Sequence, residues 1–242
     1  MLALVHGWGM NARVFDPLRE RLADEFVVRA LDLPGHGGRD LLADNTLAAW
    51  ADDLANALPA GVTLVGWSLG GQVALRAALD HPHKVARLVL LASTPKFLAG
   101  DDWAHGVAEA DLAAFAEALE ADAEKTLLRF LSLQTRGMAD QKSALHALRE
   151  RLFAAPLAGG AARAAGLRLL RETDLRAEAG ALTQPVLVVH GALDTLTPRG
   201  AGAWLAGRLP QAQYLELPRA AHAPHLSHPD AVAAAIGRFV DG

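Results

Sequence analysis

The chain alternates between short, mainly apolar runs and longer stretches in which apolar residues recur every three or four positions. Runs of the first kind occupy residues 2–5, 26–31, 62–65, 85–91, 186–190 and 214–217. A short continuous apolar run bounded by turn residues is what a strand buried on both faces requires. Helical periodicity fills residues 11–23, 47–58, 72–79, 200–209 and 230–240. Thr46 stands where the second of these helices needs an N-cap, and His81-Pro82 closes the third. Strands that alternate with helices in this way predict an α/β fold, a mainly parallel sheet flanked by helices.

The rhythm breaks after the fourth run. Residues 96–182 read as helical with no convincing strand, and the alternation then resumes. The expected organisation is a core formed by residues 1–95 and 183–242, with residues 96–182 inserted as an all-helical lid over the C-terminal edge of the sheet. No internal repeat or low-complexity linker interrupts it, and the alanine-rich residues 161–165 lie within a helical pattern.

The strand over residues 62–65 leads into Gly66-Trp67-Ser68-Leu69-Gly70-Gly71, a G-x-S-x-G between a strand and a helix. That context turns the chain so sharply that the central hydroxyl stands clear of the sheet edge. A glycine-rich turn with an incidental serine satisfies the same pattern, so the test is whether an acid and a base follow in the order Ser, Asp, His. Asp194 follows the strand over 186–190, and His222 follows the strand over 214–217. Each alone reads as an ordinary loop residue. Together with Ser68 they stand in the required order, each just past a strand end, where ligand-handling groups of open α/β sheets gather. His222 is then the base that takes the Ser68 proton as the hydroxyl attacks an ester carbonyl, and Asp194 fixes the imidazole tautomer. The oxyanion needs two donors: the Leu69 N–H at the helix N-terminus, and the Trp8 N–H from the loop after the first strand. The Trp8 indole would line the pocket, and Trp67 is either core or pocket wall.

Other groups weigh less. His222, His225 and His228 form H-x-x-H-x-x-H, but Pro224 and Pro229 disrupt the helix a metal site of that spacing needs. No metal and no cofactor is expected. His225 is expected at the pocket mouth, His6 as a loop-shaping residue, and His81 and His83 at the surface. Asp32 precedes Ser68 and breaks the order; Asp101 or Asp102 is a less favoured displaced acid.

Composition narrows the class. The 242 residues, 52% hydrophobic, suffice for one large α/β domain with an insertion. No stretch of about 18 apolar residues is free of charge, so no membrane span is expected, and Met1-Leu2-Ala3-Leu4-Val5 lacks the basic segment of a signal peptide. The absence of cysteine excludes disulfides and thiol catalysis. A cytoplasmic monomer is expected, and the net charge of −4 argues against general nucleic-acid binding. Charge is uneven within residues 96–182. Residues 96–124 hold eight acidic side chains against Lys96. Residues 125–171 hold nine basic ones (Lys125, Arg129, Arg136, Lys142, Arg149, Arg151, Arg163, Arg168 and Arg171) against Asp140 and Glu150. The basic half is either a solvated face paired with the acidic half or a docking surface for an acidic partner.

These residues resemble a known family. His6-Gly7-Trp8-Gly9-Met10-Asn11, the serine motif, Arg129-Phe130-Leu131-Ser132-Leu133-Gln134-Thr135, residues 167–176 ending in Thr173-Asp174-Leu175-Arg176, Ala221-His222-Ala223-Pro224 and Ser227-His228-Pro229 are similar to the pimeloyl-[acyl-carrier protein] methyl ester esterases of biotin synthesis, within the α/β-hydrolases. The serine and histidine segments carry the superfamily, the lid segment the family, and the likeness spans essentially the whole chain. The resemblance implies hydrolysis of the methyl ester of a pimeloyl chain held on acyl carrier protein. It implies the same three reacting residues and the same oxyanion donors, Trp8 and Leu69. It implies that Phe130, Leu131, Ser132, Leu133 and Gln134 line an acyl channel, and that Lys125, Arg129 and Lys142 meet the acidic carrier. Two departures stand out. Family members usually have strands before the His-Gly-Trp loop, so here residues 26–31 would form an exposed sheet edge; and His225 replaces a usual aromatic apolar residue. A hydrolase of free small esters or lactones, and a non-catalytic binding protein on a hydrolase scaffold, remain the rival readings.

Overall fold

The structure, a computed structural model, describes residues 1–135 and 140–242. Among these residues one sheet of six strands carries the fold: β1 (Leu2–Val5), β2 (Val28–Leu31), β3 (Val62–Trp67), β4 (Val85–Leu91), β5 (Val186–Gly191) and β6 (Ala212–Leu217). Their spatial order is β2-β1-β3-β4-β5-β6, and every neighbouring pair is parallel. The flanking helices are α1 (Asp16–Leu22), α2 (Leu47–Asn56), α3 (Leu69–Asp80), α8 (Arg199–Arg208), α9 (Pro224–Ser227) and α10 (Pro229–Asp241); α4 (Glu109–Ala121), α5 (Ala123–Gln134), α6 (Gln141–Phe153) and α7 (Gly160–Glu172) fall between β4 and β5.

The inner strands read as unbroken apolar runs because each is covered on both faces, and successive side chains enter opposite layers. Ala3, Val5, Leu64, Leu88, Leu90, Val186 and Val188 share one core cluster with Trp50 and Leu54 of α2, Val73 of α3 and Leu205 of α8. Leu2, Leu4, Val65, Trp67, Val89, Leu91, Leu187 and Val189 share the other with Leu18 of α1 and Val232, Ile236 and Phe239 of α10. β2 is an edge strand and only half-buried, with Arg29 exposed along it; a charged edge residue discourages pairing with another sheet.

Several boundaries shift from the sequence pattern. Residues 11–23 form a 3-10 turn (Ala12–Phe15) before α1, because Pro17 sits in the first turn of α1, where its missing N–H costs nothing. Asn11 caps the turn by accepting from the Arg13 N–H at 3.0 Å. β2 begins two residues late because the Phe26 N–H still bonds Leu22 O, 2.9 Å, at the end of α1. Pro224 and Pro229 start two helices rather than disrupt one, again from the first turn.

α4 to α7 are anchored to both core layers. Leu112, Leu119, Leu127 and Leu169 enter one cluster, and Leu131, Leu148 and Leu152 the other. The two ends of this segment are tied together. Lys96 bridges Asp174 in an isolated β-bridge, the Leu175 N–H donates to Pro95 O at 2.9 Å, and Arg176 pairs with both Asp102 and Asp174 at 2.6 Å. Arg136, counted above among the basic residues, lies outside the described residues. No helix among the described residues is long and apolar enough to cross a membrane.

The topology also fixes where a ligand can bind. The chain runs outward from β1 to β2, then returns to place β3 on the other side of β1. Loops leaving the C-terminal ends of β1 and β3 therefore diverge and leave a crevice between them. The structure makes one local prediction. Thr46 Oγ1 accepts from the Ala49 N–H at 3.2 Å at the start of α2, so Thr46→Ala should lower unfolding stability by about 1 kcal/mol, read from the urea midpoint.

Candidate active site

Ser68 occupies the crevice. It follows β3 directly, and α3 starts at the next residue. Its backbone lies at φ 54° and ψ −120°, in the region that side chains disfavour, a conformation that costs about 1–3 kcal/mol and persists only where the surroundings enforce it. The enforcement is visible: a Cβ on Gly70 would lie 2.3 Å from His6 O and 2.5 Å from Val5 O, so α3 can abut β1 only through a glycine. Ser93 Oγ donates to Ser68 O at 2.9 Å and pins the turn from β4.

The three side chains singled out in sequence come together here. His222 Nε2 lies 2.9 Å from Ser68 Oγ, and His222 Nδ1 lies 2.8 Å from Asp194 Oδ2. With Nδ1–H donating to the carboxylate, Nε2 is left as the acceptor for the serine hydroxyl. Asp194 is buried and also accepts from Thr197 Oγ1 (2.7 Å), the Thr197 N–H (2.9 Å) and the Leu196 N–H (2.9 Å). Burial pushes the Asp194 carboxyl up, but the adjacent imidazoles of His222 and His190 outweigh it and hold the group well below the usual carboxylate range. The histidine loop is held in turn by Trp67, whose Nε1 donates to His222 O at 2.7 Å.

The loop after β1 passes directly against the serine: a Cβ on Gly7 would sit 3.1 Å from Ser68 Cβ. Among the described residues neither the Trp8 nor the Leu69 main-chain N–H donates to another protein group, and Leu69 opens α3, where the helix dipole favours negative charge. Above the serine lies a cavity of about 210 Å³. Its walls are Trp8, Phe97, Val107, Leu112, Phe115, Phe130, Leu133, Leu167, Leu170 and Leu196, with Ser68, His222 and, at the exposed end, Asp111 as its polar residues. The Trp8 ring meets Phe115 and Phe130 edge-on at 5.3 and 5.4 Å, and its Nε1 donates to Arg163 O at 2.9 Å. A Cβ on Gly166 would fall 2.7 Å from Trp8 Cδ1, so α7 approaches this indole through a glycine.

Some expected positions are not at the cavity. Of the five consecutive α5 residues assigned to an acyl channel, only Phe130 and Leu133 line it. Leu131 is fully buried in the same core cluster as Leu148, Ser132 Oγ donates to Arg129 O at 2.7 Å, and the buried Gln134 amide has no protein partner among the described residues. A helix presents residues three or four apart on one face, so a run of five cannot all face one pocket. His225 is likewise not at the pocket mouth; it is buried between Phe15 and Trp67, ring centroids 4.9 and 4.6 Å away. Trp67 is core. His6 Nε2 accepts from the Leu33 N–H at 3.1 Å, and Asp32 accepts from the Ala12 N–H at 2.7 Å, so both shape loops. Asp102 pairs with Lys96 and Arg176, and Asp101 is exposed. Lys125, Arg129 and Lys142 are exposed on α5 and α6. Sequence reasoning missed Thr197, for which the Asp194-x-x-Thr197 spacing of a capping turn was the available signal. It also missed the walls from α4 and α7, where Leu112 and Phe115, and Leu167 and Leu170, recur at three-residue intervals.

Comparison with known proteins agrees with this architecture. Residues 2–235 match the alpha/beta hydrolase family. A pimeloyl-[acyl-carrier protein] methyl ester esterase from Nitrosomonas europaea is 42% identical over 229 residues, covering 95% of this chain and 91% of its own length. The protein of the same name from Chromobacterium violaceum is 44% identical over 227 residues, covering 94% of this chain and 89% of its own. Among solved structures, an esterase from Exiguobacterium antarcticum superposes with a TM-score of 0.90 at 22% identity, over 100% of this chain and 91% of that one. A thermophilic esterase from Thermogutta terrifontis with malate bound gives 0.82 at 25% identity, over 99% and 89%.

The displaced His225 generates a prediction. Both ring nitrogens are buried without a partner among the described residues, and burial, with the neighbouring His222, pushes the group from the ordinary 6.5 down to about 3. The unfolded chain therefore binds a proton below about pH 6.5 that the folded chain refuses until near pH 3, so stability falls with pH across that window. At pH 5 this amounts to about 2 kcal/mol relative to pH 7. His225→Phe, which keeps an aromatic ring between Phe15 and Trp67, should flatten the decline in urea-unfolding free energy between pH 7 and 5 by about that amount. His36, also held near 3 by burial, keeps a residual slope. A variant as acid-sensitive as the wild type would place the effect elsewhere.

Proposed function

The chain belongs to the alpha/beta hydrolase family and, within it, to the pimeloyl-[acyl-carrier protein] methyl ester esterases, and on that premise we propose that it hydrolyses the methyl ester of a pimeloyl chain carried by acyl carrier protein, in biotin synthesis. It is a carboxylic ester hydrolase. The observation that carries the mechanism is the continuous relay from Ser68 Oγ through His222 to Asp194, with links of 2.9 and 2.8 Å.

The steps follow from the geometry. His222 Nε2 accepts the Ser68 proton as the hydroxyl attacks the ester carbonyl, and Asp194 stabilises the imidazolium that forms. The oxyanion forms at the Trp8 and Leu69 N–H groups, which have no other protein acceptor among the described residues. His222 then gives its proton to the departing methoxide, so methanol leaves and an acyl-serine remains. Water attacks that acyl group by the same route, with His222 again as base, and releases the carboxylate. The wall of aromatic and aliphatic side chains suits a methylene chain.

Docking of the carrier is assigned to Lys125 and Arg129, four residues apart on one face of α5, and Lys142 on α6. All three are exposed, and among the described residues none is held in an ion pair, so each is available to an acidic partner. Support comes from the basic excess of residues 125–171 and from the carrier named in the relatives' descriptions.

Two measurements test this reading. Ser68→Ala should lower turnover of a p-nitrophenyl short-chain ester by roughly 10⁴-fold or more; residual activity near wild type would remove Ser68 as nucleophile. Reversing Lys125 and Arg129 to Glu should raise KM for the carrier-bound methyl ester by about tenfold or more, an effect shrinking as salt rises. Equal losses on carrier-bound and free methyl esters would sink the docking assignment.

A further inference from the structure

The geometry points to Asp111 as a charge gate that selects substrates by the far end of their acyl chain, an inference that rests on the esterase function proposed above. The cavity runs from Ser68 and His222 at its floor to Leu133 and Asp111, both exposed, at its rim. Apart from the two reacting residues, every wall residue except Asp111 is apolar. Asp111 lies in the first turn of α4, and among the described residues its carboxylate is in no ion pair or side-chain hydrogen bond. Glu109, two residues earlier on α4, is paired with Arg171 at 2.9 Å. Glu109 also supplies negative charge to that same helix terminus, so a second carboxylate is not required there for the helix.

On this proposal a chain whose ester carbon sits at Ser68 runs outward past Leu112 and Phe115 to the exposed rim formed by Leu133 and Asp111. When the chain is held on a carrier, that other end is a thioester, which is uncharged. When the substrate is a free monoester of a linear dicarboxylic acid, that end is a carboxylate, and it meets a like charge across the rim of an apolar cavity. Two like charges held within a Debye length at a water-facing position disfavour binding by a factor of roughly three to ten. The same repulsion opposes re-entry of the released acid with its new carboxylate at the rim. Asp111 thus biases the enzyme toward chains whose second carboxyl is masked, without touching the reacting atoms.

The test compares the monomethyl and dimethyl esters of heptanedioic acid on the purified full-length protein. The readout is the ratio of kcat/KM for the anionic monoester to that for the neutral diester. Asp111→Asn should raise that ratio by roughly three- to tenfold, whatever happens to the absolute rates. Asp111→Glu should keep the wild-type ratio. Raising salt from about 20 mM to about 500 mM should raise the wild-type ratio and leave that of the Asn variant nearly constant. A ratio unmoved in Asp111→Asn, or moved as far in Asp111→Glu, overturns the gate while leaving the esterase intact. A wild type that hydrolyses neither ester removes the esterase reading and the gate with it.

Discussion

A hydroxyl can be held clear of a sheet edge only if the chain reverses from strand to helix within about one residue, and that demands a backbone conformation side chains resist. Ser68 adopts it, at φ 54°. The strain is contained because α3 is wedged against the end of β1 through Gly70, and because Ser93 reaches over from β4 to bind the serine carbonyl. Three parallel strands thereby converge on one residue. The consequence reaches past the nucleophile. With α3 pressed against β1, the loop carrying Trp8 passes over Ser68, and the switch in strand order between β1 and β3 leaves room for a ligand between them. Removing the constraint would return Ser68 to an ordinary turn geometry and separate both N–H donors from the hydroxyl.

The inner strands of the sheet were legible in the sequence because they are buried on both faces, and such strands advertise themselves as mainly apolar runs. β1 and β4 have the same bounds in both descriptions, and β3, β5 and β6 gain only one or two residues at their ends. What failed were local rules that depend on neighbours. Pro17 set a helix start inside residues 11–23, and Pro224 began a turn of helix where it was expected to prevent one. The serine, acid and base were legible as an ordered set because order along the chain survives without coordinates. The cavity was not, since its walls come from α4, α5 and α7, and their contribution is decided by which faces those helices turn inward. Phe130 and Leu133 turn in; Leu131 and Gln134 turn into the core. His225 illustrates the same limit: nothing in Pro224-His225-Leu226 reveals that the ring inserts between Phe15 and Trp67.

Two kinds of electrostatics operate in the molecule, and they are kept apart. Around Asp194 the charges are buried, so each contact is strong and each position fixed: three donors from Leu196 and Thr197 hold the carboxylate while His222 presents its Nδ1–H. One hydroxyl proton on Thr197 lies within reach of both Asp194 Oδ2 and, at 3.0 Å, Ala92 O, so Thr197 couples the acid to the end of β4. On α5 and α6 the charges are exposed, each worth little in a fixed pair and screened by salt, but useful in number for capturing an oppositely charged partner. Neither system could do the work of the other. A surface triad would lose its proton relay to water, and a buried row of lysines would not fold.

Between the two stands a wall that is almost entirely apolar, and its neutrality has a kinetic meaning. An ester and a thioester are both uncharged, so a chain carrying one at each end can lie along Phe115 and Leu112 without desolvating an ion. Hydrolysis changes this: the product is an anion generated at the floor of a cavity whose only cationic form is a transient imidazolium. Once His222 returns to neutrality, the carboxylate keeps only the N–H donors of the oxyanion site as partners, and the apolar wall around it solvates a full charge poorly. The same wall that welcomes the ester therefore expels the acid. Release is therefore favoured by the chemistry itself, provided that Asp194 stays ionised and His222 returns to its neutral form between turnovers; the network that holds the Asp194 carboxyl below the usual carboxylate range maintains the first of these conditions.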